Sequence, residues 1–373
     1  MSVKTAVLDR YSEGAKDVQP SLCCPVSYDP ALMKMLPTEI IEKDYGCGDP
    51  SRYVKKGDVV LDLGSGGGKI CYMAAQIVGE TGKVIGIDMN DDMLTLARKH
   101  QTEMADKIGA DLVEFNKGFI QDLALDLTAM ESYLSDNPVT TASDYSRLHD
   151  WQYQQRRETP LIADNSVDLV ISNCVLNLVH DNEKQQMISE IFRVLKPGGR
   201  VAISDIVSDE FCPDHLKSDT ELWSGCISGA FQEQEFLQVF LDAGFLAVTL
   251  DKWDEQPWQV VEDIEFRSVT LTAVKGQGSE CQDKGHAVIY CGPFSEVHDD
   301  DDHYFPRGER IAVCERTFKL LTEGPYKNQF IGISPNSPQE SKLWCAPAGT
   351  KRPASETKGG QHSGSSTGAG GCC

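Results

Sequence analysis

The chain has 373 residues, 40% of them hydrophobic and 8% aromatic, an ordinary globular composition that is long enough for two domains with a substantial core. Its formal net charge of −22 argues against nucleic acid or an anionic membrane as a main partner, because phosphate groups would be repelled. The N-terminus lacks the apolar segment of a secretory signal, and no run approaches the ~18 apolar residues of a membrane span, so we expect a cytoplasmic protein.

Residues 1–44 predict a helical segment that precedes the main domain. Helical patterning covers Val3–Arg10 and returns around Ala31–Leu36, and the loop between them carries the adjacent pair Cys23 and Cys24. Adjacent cysteines disfavour a disulfide with each other on grounds of strain. The chain has 13 cysteines, and in a reducing compartment we interpret them as soft ligands, redox groups or packing residues.

The stretch 59–88 predicts a nucleoside-binding unit. A buried strand at Val59–Leu63 is followed by the turn Gly64–Gly68, an amphipathic helix and a second strand that ends at Asp88. Glycines permit a sharp turn and the close approach of a ligand, and the acid is suited to ribose hydroxyls. Asp62, directly before the glycines, suits a cationic amino group and repels a pyrophosphate. This favours S-adenosylmethionine over NAD or FAD, and an ordinary crossover without cofactor is the alternative.

The remaining elements predict an alternating α/β domain over residues 45–210. Asn90 caps a helix that runs to about His100, and the further strands and helix are Leu112–Phe115, Val167–Ser172, Glu183–Leu195 and Arg200–Asp205. Residues 126–163 are interpreted as a polar, turn-rich insertion without steady period. Its Trp151, Arg156 and Arg157 either form a surface lid or decorate the surface.

The C-terminal part predicts three further regions. Residues 211–275 contain a helix over Glu233–Ala243 and strands over Ala247–Leu250 and Phe266–Val274. A small β-rich domain is expected over 276–345, with strands at His286–Tyr290 and Ile311–Val313 and a solvated acidic loop at 298–303. Residues 346–373, rich in Gly, Ser, Lys and Pro, are expected to be disordered, and they end in Cys372 and Cys373.

Four cysteines are placed near one predicted cleft. Cys47 and Cys226 are flanked by glycines, and we expect the loop cysteine Cys47 to be exposed. Cys71 lies in the first turn of the glycine-loop helix, where either the dipole favours a thiolate or the residue packs in the core beside Ile70, and Cys174 ends a central strand. Zinc is disfavoured because none of the four is paired in a C-x2–4-C knuckle. Separated thiolates around a methyl donor favour a soft, thiophilic substrate. Trivalent arsenic fits, because it takes three thiolates and keeps a lone pair.

Over residues 40–275 the sequence resembles the S-adenosylmethionine-dependent arsenite methyltransferases. The stretches that carry the resemblance are YGCGDP at Tyr45, DLGSGGGKICY at Asp62, GIDMNDDML at Gly86, SNCVLNLVHD at Ser172 and LWSGCISGA at Leu222. It implies a doubly wound, Rossmann-like class I methyltransferase sheet with an arsenic-binding segment. The insertion at 126–163 departs from this pattern, being longer than in the animal enzymes.

The resemblance also implies roles for individual residues. Cys174 and Cys226 would hold arsenic through both methylations, while Cys47 and Cys71 would act in the first round, with Cys71 as a further arsenic ligand, and then exchange as a disulfide. Reduced thioredoxin or glutathione would reset that disulfide. Arsenite and methylarsenite are the expected substrates. Together with Asp62 and Gly66 from the glycine turn, the expected cofactor residues are Tyr45, Gly64, Ser65, Lys69, Asp88, Met89, Asn173 and Val175.

Two other functions stay open at this point. The first is a methyltransferase for a small organic acceptor, with His180 and Asp181 supplying a base. The second is a non-enzymatic thiol protein that binds arsenic or copper on a retired methyltransferase fold. The intact glycine turn and Asp88 argue against the second, because a retired fold has no need of them.

Overall fold

The computed structural model describes residues 3–19, 26–278, 280–335, 340–344 and 346–357. The chain divides into two compact units, Met1–Gly276 and Gln277–Cys373. The adjacent cysteine pairs towards the two ends of the sequence, Cys23–Cys24 and Cys372–Cys373, lie outside the described residues.

A nine-stranded mixed sheet forms the centre of the first unit. Its strands are β1 (Val59–Leu63), β2 (Lys83–Asp88), β3 (Val113–Lys117), β4 (Val167–Asn173), β5 (Leu195–Ser208), β6 (Phe231–Gln232), β7 (Phe245–Trp253), β8 (Gln259–Val261) and β9 (Ile264–Lys275). Their order is 3-2-1-4-5-9-7, with β6 paired to β5 and β8 to β9. Strands β1 to β6 pair in parallel, and β7, β8 and β9 pair antiparallel.

Helices pack against this sheet, and others lie in the N-terminal segment 1–44. They are α1 (Val3–Lys16), α2 (Pro30–Met33), α3 (Thr38–Glu42), α4 (Lys69–Val78), α5 (Asp91–Lys99), α6 (Gln101–Ile108), α7 (Leu127–Asp136), α8 (Ala142–Glu158), α9 (Asp181–Val194), α10 (Asp214–Lys217), α11 (Thr220–Ser224) and α12 (Glu233–Asp242). None of the helices in the described part of the chain is both long and apolar enough to cross a membrane.

Alternation along the central strands divides the core into two layers. Val60 of β1 packs with α4 on one side of the sheet, whereas its neighbour Leu61 packs with α9 and α12 on the other. A strand buried on both faces is typical of parallel α/β sheets. The strand order reverses at β1, since β2 and β3 are added on one side of it and β4 and β5 on the other. The crevice beyond the carboxyl ends of β1 and β4 is therefore the expected place for a ligand. The predicted doubly wound α/β sheet is confirmed.

The prediction for residues 126–163 is wrong in one respect, because the segment contains the two helices α7 and α8. A capping box between Thr141 and Asp144 starts α8. Each helix has a single buried residue, Leu127 in α7 and Gln155 in α8, so little apolar periodicity is needed and the pattern was missed. The side chains considered for a lid make local contacts: Trp151 stacks on Tyr133, Arg156 pairs with Asp122 and Arg157 bonds Tyr153.

The second unit is small and β-rich. Its elements are β10 (Gln282–Asp283), β11 (Ala287–Tyr290), β12 (Glu296–His298), β13 (Tyr304–Pro306), β14 (Ile311–Ala312), α13 (Glu315–Glu323), β15 (Phe330–Ile333) and β16 (Lys342–Leu343). Disorder from residue 346 is a wrong prediction for 346–357. Lys351 forms an isolated antiparallel β-bridge with Ile311, Arg352 forms a salt bridge with Asp283 at 2.8 Å, and Thr357 is fully buried.

Candidate active site

The glycine turn between β1 and α4 forms the floor of a cavity. Gly64 has φ +68°, and a Cβ there would lie 2.4 Å from Cγ1 of Val175, so only glycine fits. The amide groups of Gly64 and Ser65 donate to the carbonyl of Ile87 at 2.8 and 2.9 Å, which joins the turn to the end of β2. These hydrogen bonds fix the position of the turn beneath the cavity.

Asp88 closes the other side of the turn. Its Oδ2 accepts from the amide of Gly66 at 2.9 Å, and its Oδ1 accepts from the amide of Asn90 at 2.8 Å. Burial raises the pKa of this carboxyl, and the backbone amides oppose that shift. Each carboxylate oxygen has a second lone pair, so Asp88 retains the capacity to accept from two ligand hydroxyls.

The cavity has a volume of about 570 Å³, within the range of ligand pockets. Every predicted cofactor residue except Lys69 lines it: Tyr45, Asp62, Gly64, Ser65, Gly66, Asp88, Met89, Asn173 and Val175. Ser65 has a buried hydroxyl that finds no hydrogen-bond partner within the described ranges of the chain. A cradle that a Cβ on Gly64 would fill, beside the buried carboxyl of Asp88 with its remaining lone pairs, fits a bound nucleoside cofactor.

Lys69 lies one step away from the cavity. Its Nζ pairs with Asp44 at 2.8 Å and lies 3.4 Å from the ring centroid of Tyr28. The Tyr28 hydroxyl donates to the same Asp44 oxygen at 3.2 Å. Asp44 itself lines the cavity and was missed from sequence, where its place directly before Tyr45 was the available signal. Lys69 therefore acts on the cavity through Asp44.

Cys71 faces a carboxyl group at the end of β1. Its Sγ donates to Oδ2 of Asp62 at 3.2 Å, and both residues are buried. Burial, with Asp62 beside it, raises the pKa of the Cys71 thiol well above its usual range, so the expectation that the helix dipole favours a thiolate is wrong. Burial also raises the pKa of Asp62 to about 7, although the bond from Cys71 lowers it. Desolvation outweighs the dipole here.

Three of the four predicted cysteines gather beyond the carboxyl ends of β4 and β5. Cys47, Cys174 and Cys226 belong to one apolar cluster and are almost fully buried. The expectation that the glycine-flanked Cys47 is exposed is therefore wrong. Cys71 belongs instead to the core layer on the α4 side of the sheet. Cys174 also lines the cavity, so it joins the cysteine cluster to the cofactor end.

A carboxyl group completes this cluster. The sulfurs of Cys47 and Cys174 and an oxygen of Asp205 all lie within 4.8 Å of one another. Burial raises the pKa of Asp205 to about 6, while bonds from the amides of Ile206 and Leu176, 2.8 and 2.9 Å long, favour its ionised form. Two thiol sulfurs and one carboxyl oxygen, all buried, form a soft and partly acidic ligand set. Asp205 was predicted as a strand residue and missed as a site residue.

Asn173 holds the loop that carries Cys47. Its Oδ1 accepts from the amides of Cys47 and Gly48 at 2.9 and 3.0 Å, and its Nδ2 donates to the Gly48 carbonyl at 2.9 Å. A Cβ on Gly46 would lie 2.0 Å from this side-chain amide, which explains the glycine. From the opposite side, Ser268 of β9 donates to the Cys47 carbonyl at 2.7 Å. The cysteine is thus fixed by two strands.

Cys174 and Cys226 both have a left-handed backbone, with φ +63° and +62°. Such a conformation is uncommon outside glycine, costs on the order of 1–3 kcal/mol and concentrates at functional sites. The Cys226 sulfur donates to the carbonyl of Cys174 at 3.3 Å. The surrounding structure therefore holds two strained cysteines against each other.

The segment after α11 is fixed over the end of β4 by its second glycine. A Cβ on Gly229 would lie 2.0 Å from the carbonyl oxygen of Asn177. Lys184 donates to the Gly229 carbonyl at 2.7 Å and pairs with Asp181 at 2.7 Å. These contacts give Cys226 its place beside Cys174.

The residues predicted as an alternative base have other partners. His180 lines the cavity, but its Nδ1 accepts from the amide of Asn182 as the cap of α9, and its ring stacks on Trp223. Asp181 pairs with Lys184 and Lys217, each at 2.7 Å. Asp181 and Nδ1 of His180 are thus engaged in other contacts, which does not favour either as a general base.

Comparison with known proteins gives concordant results. A family model described as a methyltransferase domain matches residues 54–144 and 152–244, and a domain of unknown function matches 277–362. An arsenite methyltransferase of Aquipseudomonas alcaligenes is 32% identical over 340 residues, covering 86% of this chain and 87% of that protein. The arsenite methyltransferase of Mus musculus is 30% identical over 332 residues, covering 84% and 78%.

A solved structure shows the same likeness. The crystal structure of CrArsM, an arsenic (III) S-adenosylmethionine methyltransferase from Chlamydomonas reinhardtii, matches with a TM-score of 0.56 at 29% identity. The match covers 85% of this chain and 99% of that one.

Proposed function

Since this chain belongs to the arsenite methyltransferase family, we propose that it transfers methyl groups from S-adenosylmethionine to trivalent arsenic held by Cys174 and Cys226. The products are methylated arsenicals. The observation that carries the proposal is the position of Cys174, which belongs both to the buried cysteine cluster and to the wall of the cofactor cavity. Substrate and donor would therefore meet at this residue.

The residues around the glycine turn suit the cofactor. When bound, S-adenosylmethionine supplies an electrophilic sulfonium methyl group. Asp88 would accept from the ribose hydroxyls, and Asp62 would face the amino group, whose positive charge favours the ionised carboxylate.

The cysteine cluster suits the arsenic. Thiols of Cys174 and Cys226 displace two hydroxyl groups of arsenite, each forming an S–As bond and releasing water, and the arsenic lone pair stays available for attack. The apolar surroundings exclude bulk water and fix the orientation, which is where a transfer between two bound groups gains rate. No general acid is needed, because the donor is already cationic and leaves as a neutral thioether.

Arsenite requires one more ligand than monomethylarsenite does. We propose Cys47 for this place, because its sulfur lies within 4.8 Å of that of Cys174. Cys71, the third ligand expected from the family resemblance, is hydrogen-bonded to Asp62 and lies in the core layer on the α4 side of the sheet. Attack by the arsenic lone pair on the methyl group oxidises arsenic formally to the pentavalent state. The Cys71 sulfur would then attack that of Cys47: the S–S bond forms, the S–As bond of Cys47 breaks with its electron pair left on arsenic, which is trivalent again, and the Cys71 proton is released. Thioredoxin or glutathione in the cytoplasm would reduce this disulfide to two thiols.

The test uses the purified full chain with arsenite, S-adenosylmethionine and a thiol reductant. We expect S-adenosylhomocysteine to form only when arsenite is present, together with methylated arsenicals on speciation by chromatography and mass spectrometry. Consumption of the donor with a small organic acceptor, and none with arsenite, would overturn the proposal. Comparing glutathione with thioredoxin and its reductase identifies the reductant.

A further inference from the structure

The N-terminal helix α1 lines the cavity with its apolar stripe. Val7 and Tyr11, one helical turn apart, both face the cavity. The Tyr11 hydroxyl lies 3.9 Å from Sγ of Cys226, within reach of a hydrogen bond to sulfur. Its ring packs edge-on against Tyr45, with the ring centroids 6.1 Å apart. Tyr11 therefore contacts both the cofactor side and the cysteine side of the site.

Helix α1 is attached to both sides independently of this hydroxyl. Arg10 donates to the carbonyl of Glu221 at 2.9 Å and to the hydroxyl of Ser224 at 3.0 Å, both in α11 just before Cys226. On the cofactor side, Asn90 donates to the Leu8 carbonyl at 3.1 Å and to the Ser12 hydroxyl at 3.0 Å. Four hydrogen bonds thus fix the helix, and Tyr11 is placed against Cys226 by its neighbours.

Arsenic binding changes which hydrogen bond the Cys226 sulfur can make. In the structure its S–H donates to the Cys174 carbonyl. A sulfur bonded to arsenic has no proton to donate, so this hydrogen bond is lost when arsenic binds. The Tyr11 hydroxyl lies at the same sulfur and can donate to it.

We propose that Tyr11 is a positioning residue for Cys226. Its hydroxyl donates to the Cys226 sulfur and holds it in the orientation that binds arsenic, a role that rests on the proposed function of the site. The ring, packed on Tyr45, keeps the hydroxyl in place and forms the cavity wall. This hydrogen bond increases the affinity for arsenic and leaves the affinity for S-adenosylmethionine unchanged.

The test compares Tyr11→Phe with Ser12→Ala in the full chain. Tyr11→Phe removes one oxygen and keeps the ring, whereas Ser12→Ala removes a different hydrogen bond of the same helix. Monomethylarsenite affinity is measured by equilibrium dialysis with arsenic quantified by mass spectrometry, and cofactor affinity by calorimetry. For Tyr11→Phe we expect monomethylarsenite affinity to fall about fivefold, the effect of one hydrogen bond, and cofactor affinity to stay within about twofold.

Three results would overturn this role. They are unchanged monomethylarsenite affinity in Tyr11→Phe, an equal loss in Ser12→Ala, or a parallel loss of cofactor affinity, since the last two indicate a loosened helix. Thermal unfolding of both variants checks that the fold is kept. Failure of the proposed function gives a different result, because the unsubstituted chain would then neither bind nor methylate arsenicals.

Discussion

The sulfur of Cys226 lies 3.3 Å from the carbonyl oxygen of Cys174, and both residues have a left-handed backbone. Neither feature is needed to fill a core with two small side chains. A strained pair that faces the wall of a cofactor cavity is instead typical of a site whose geometry is kept for binding. This relationship connects the fold to the chemistry.

The strain at Cys226 is measurable as stability. We expect Cys226→Gly to be more stable than Cys226→Ala, by up to about 1 kcal/mol, because glycine adopts φ +62° without the cost that a Cβ adds. Urea denaturation measures the free energies of unfolding. The matched control is Cys212, which is buried in the same cluster without a positive φ, where alanine should be the more stable substitution. If alanine were the more stable substitution at both positions, the backbone at Cys226 would not be strained.

The first methylation round should depend on Cys47 and Cys71. We expect Cys47→Ser and Cys71→Ser to abolish methylation of arsenite while leaving methylation of monomethylarsenite largely intact, because the methylated substrate takes two thiolates. The two substrates are compared in separate turnover assays. An equal loss on both substrates in Cys71→Ser would assign that residue to the cofactor side, through its bond to Asp62.

Cofactor affinity should depend on pH through Asp62. Its pKa in the folded chain is about 7, above the ordinary value of 3.8, so below pH 7 the free protein holds a proton there. A cationic amino group favours the ionised form and must displace that proton. We therefore expect constant affinity above about pH 7 and a loss approaching tenfold per pH unit below it. Calorimetry checks this, and Asp62→Asn should bind more weakly with a flat profile. A pH-independent affinity in the unsubstituted chain contradicts the assignment.

Removal of the carboxylate at Asp88 should weaken cofactor binding strongly. Each lost hydrogen bond to a charged acceptor corresponds to about 1.5–3 kcal/mol, and Asp88→Ala also releases the amide of Gly66. Asp91 is the control, because its exposed side chain pairs with Lys117 on the surface. Calorimetry should find Asp91→Ala unchanged. If Asp88→Ala bound S-adenosylmethionine normally, the ribose contact would be refuted.

The cofactor half of the site was accessible from sequence. A strand, a glycine turn, a helix and an acid follow each other between Val59 and Asp88, and local order fixes their geometry. Cys174 was accessible for a similar reason, since the carboxyl end of a central parallel strand is a known ligand position.

Other parts of the site depend on contacts between distant segments. Tyr11 reaches Cys226 across 215 positions, and Asp205 reaches Cys47 only because β5 lies beside β4. The thiolate expected at Cys71 failed for the same reason, because the helix position was visible and the burial against Asp62 was not. Helices α7 and α8 were missed because they bury almost nothing.

The proposed arsenic site consists of Cys174 and Cys226, and turnover of monomethylarsenite by Cys174→Ser and Cys226→Ser tests it most directly. Serine keeps nearly the same size and removes the soft ligand, so thermal unfolding should show a retained fold. Cys212→Ser, in the same buried cluster, is the matched control and should stay active. We expect both variants to lose methylation of monomethylarsenite and of arsenite. Turnover of monomethylarsenite near the unsubstituted rate in either variant would contradict the two-thiolate site.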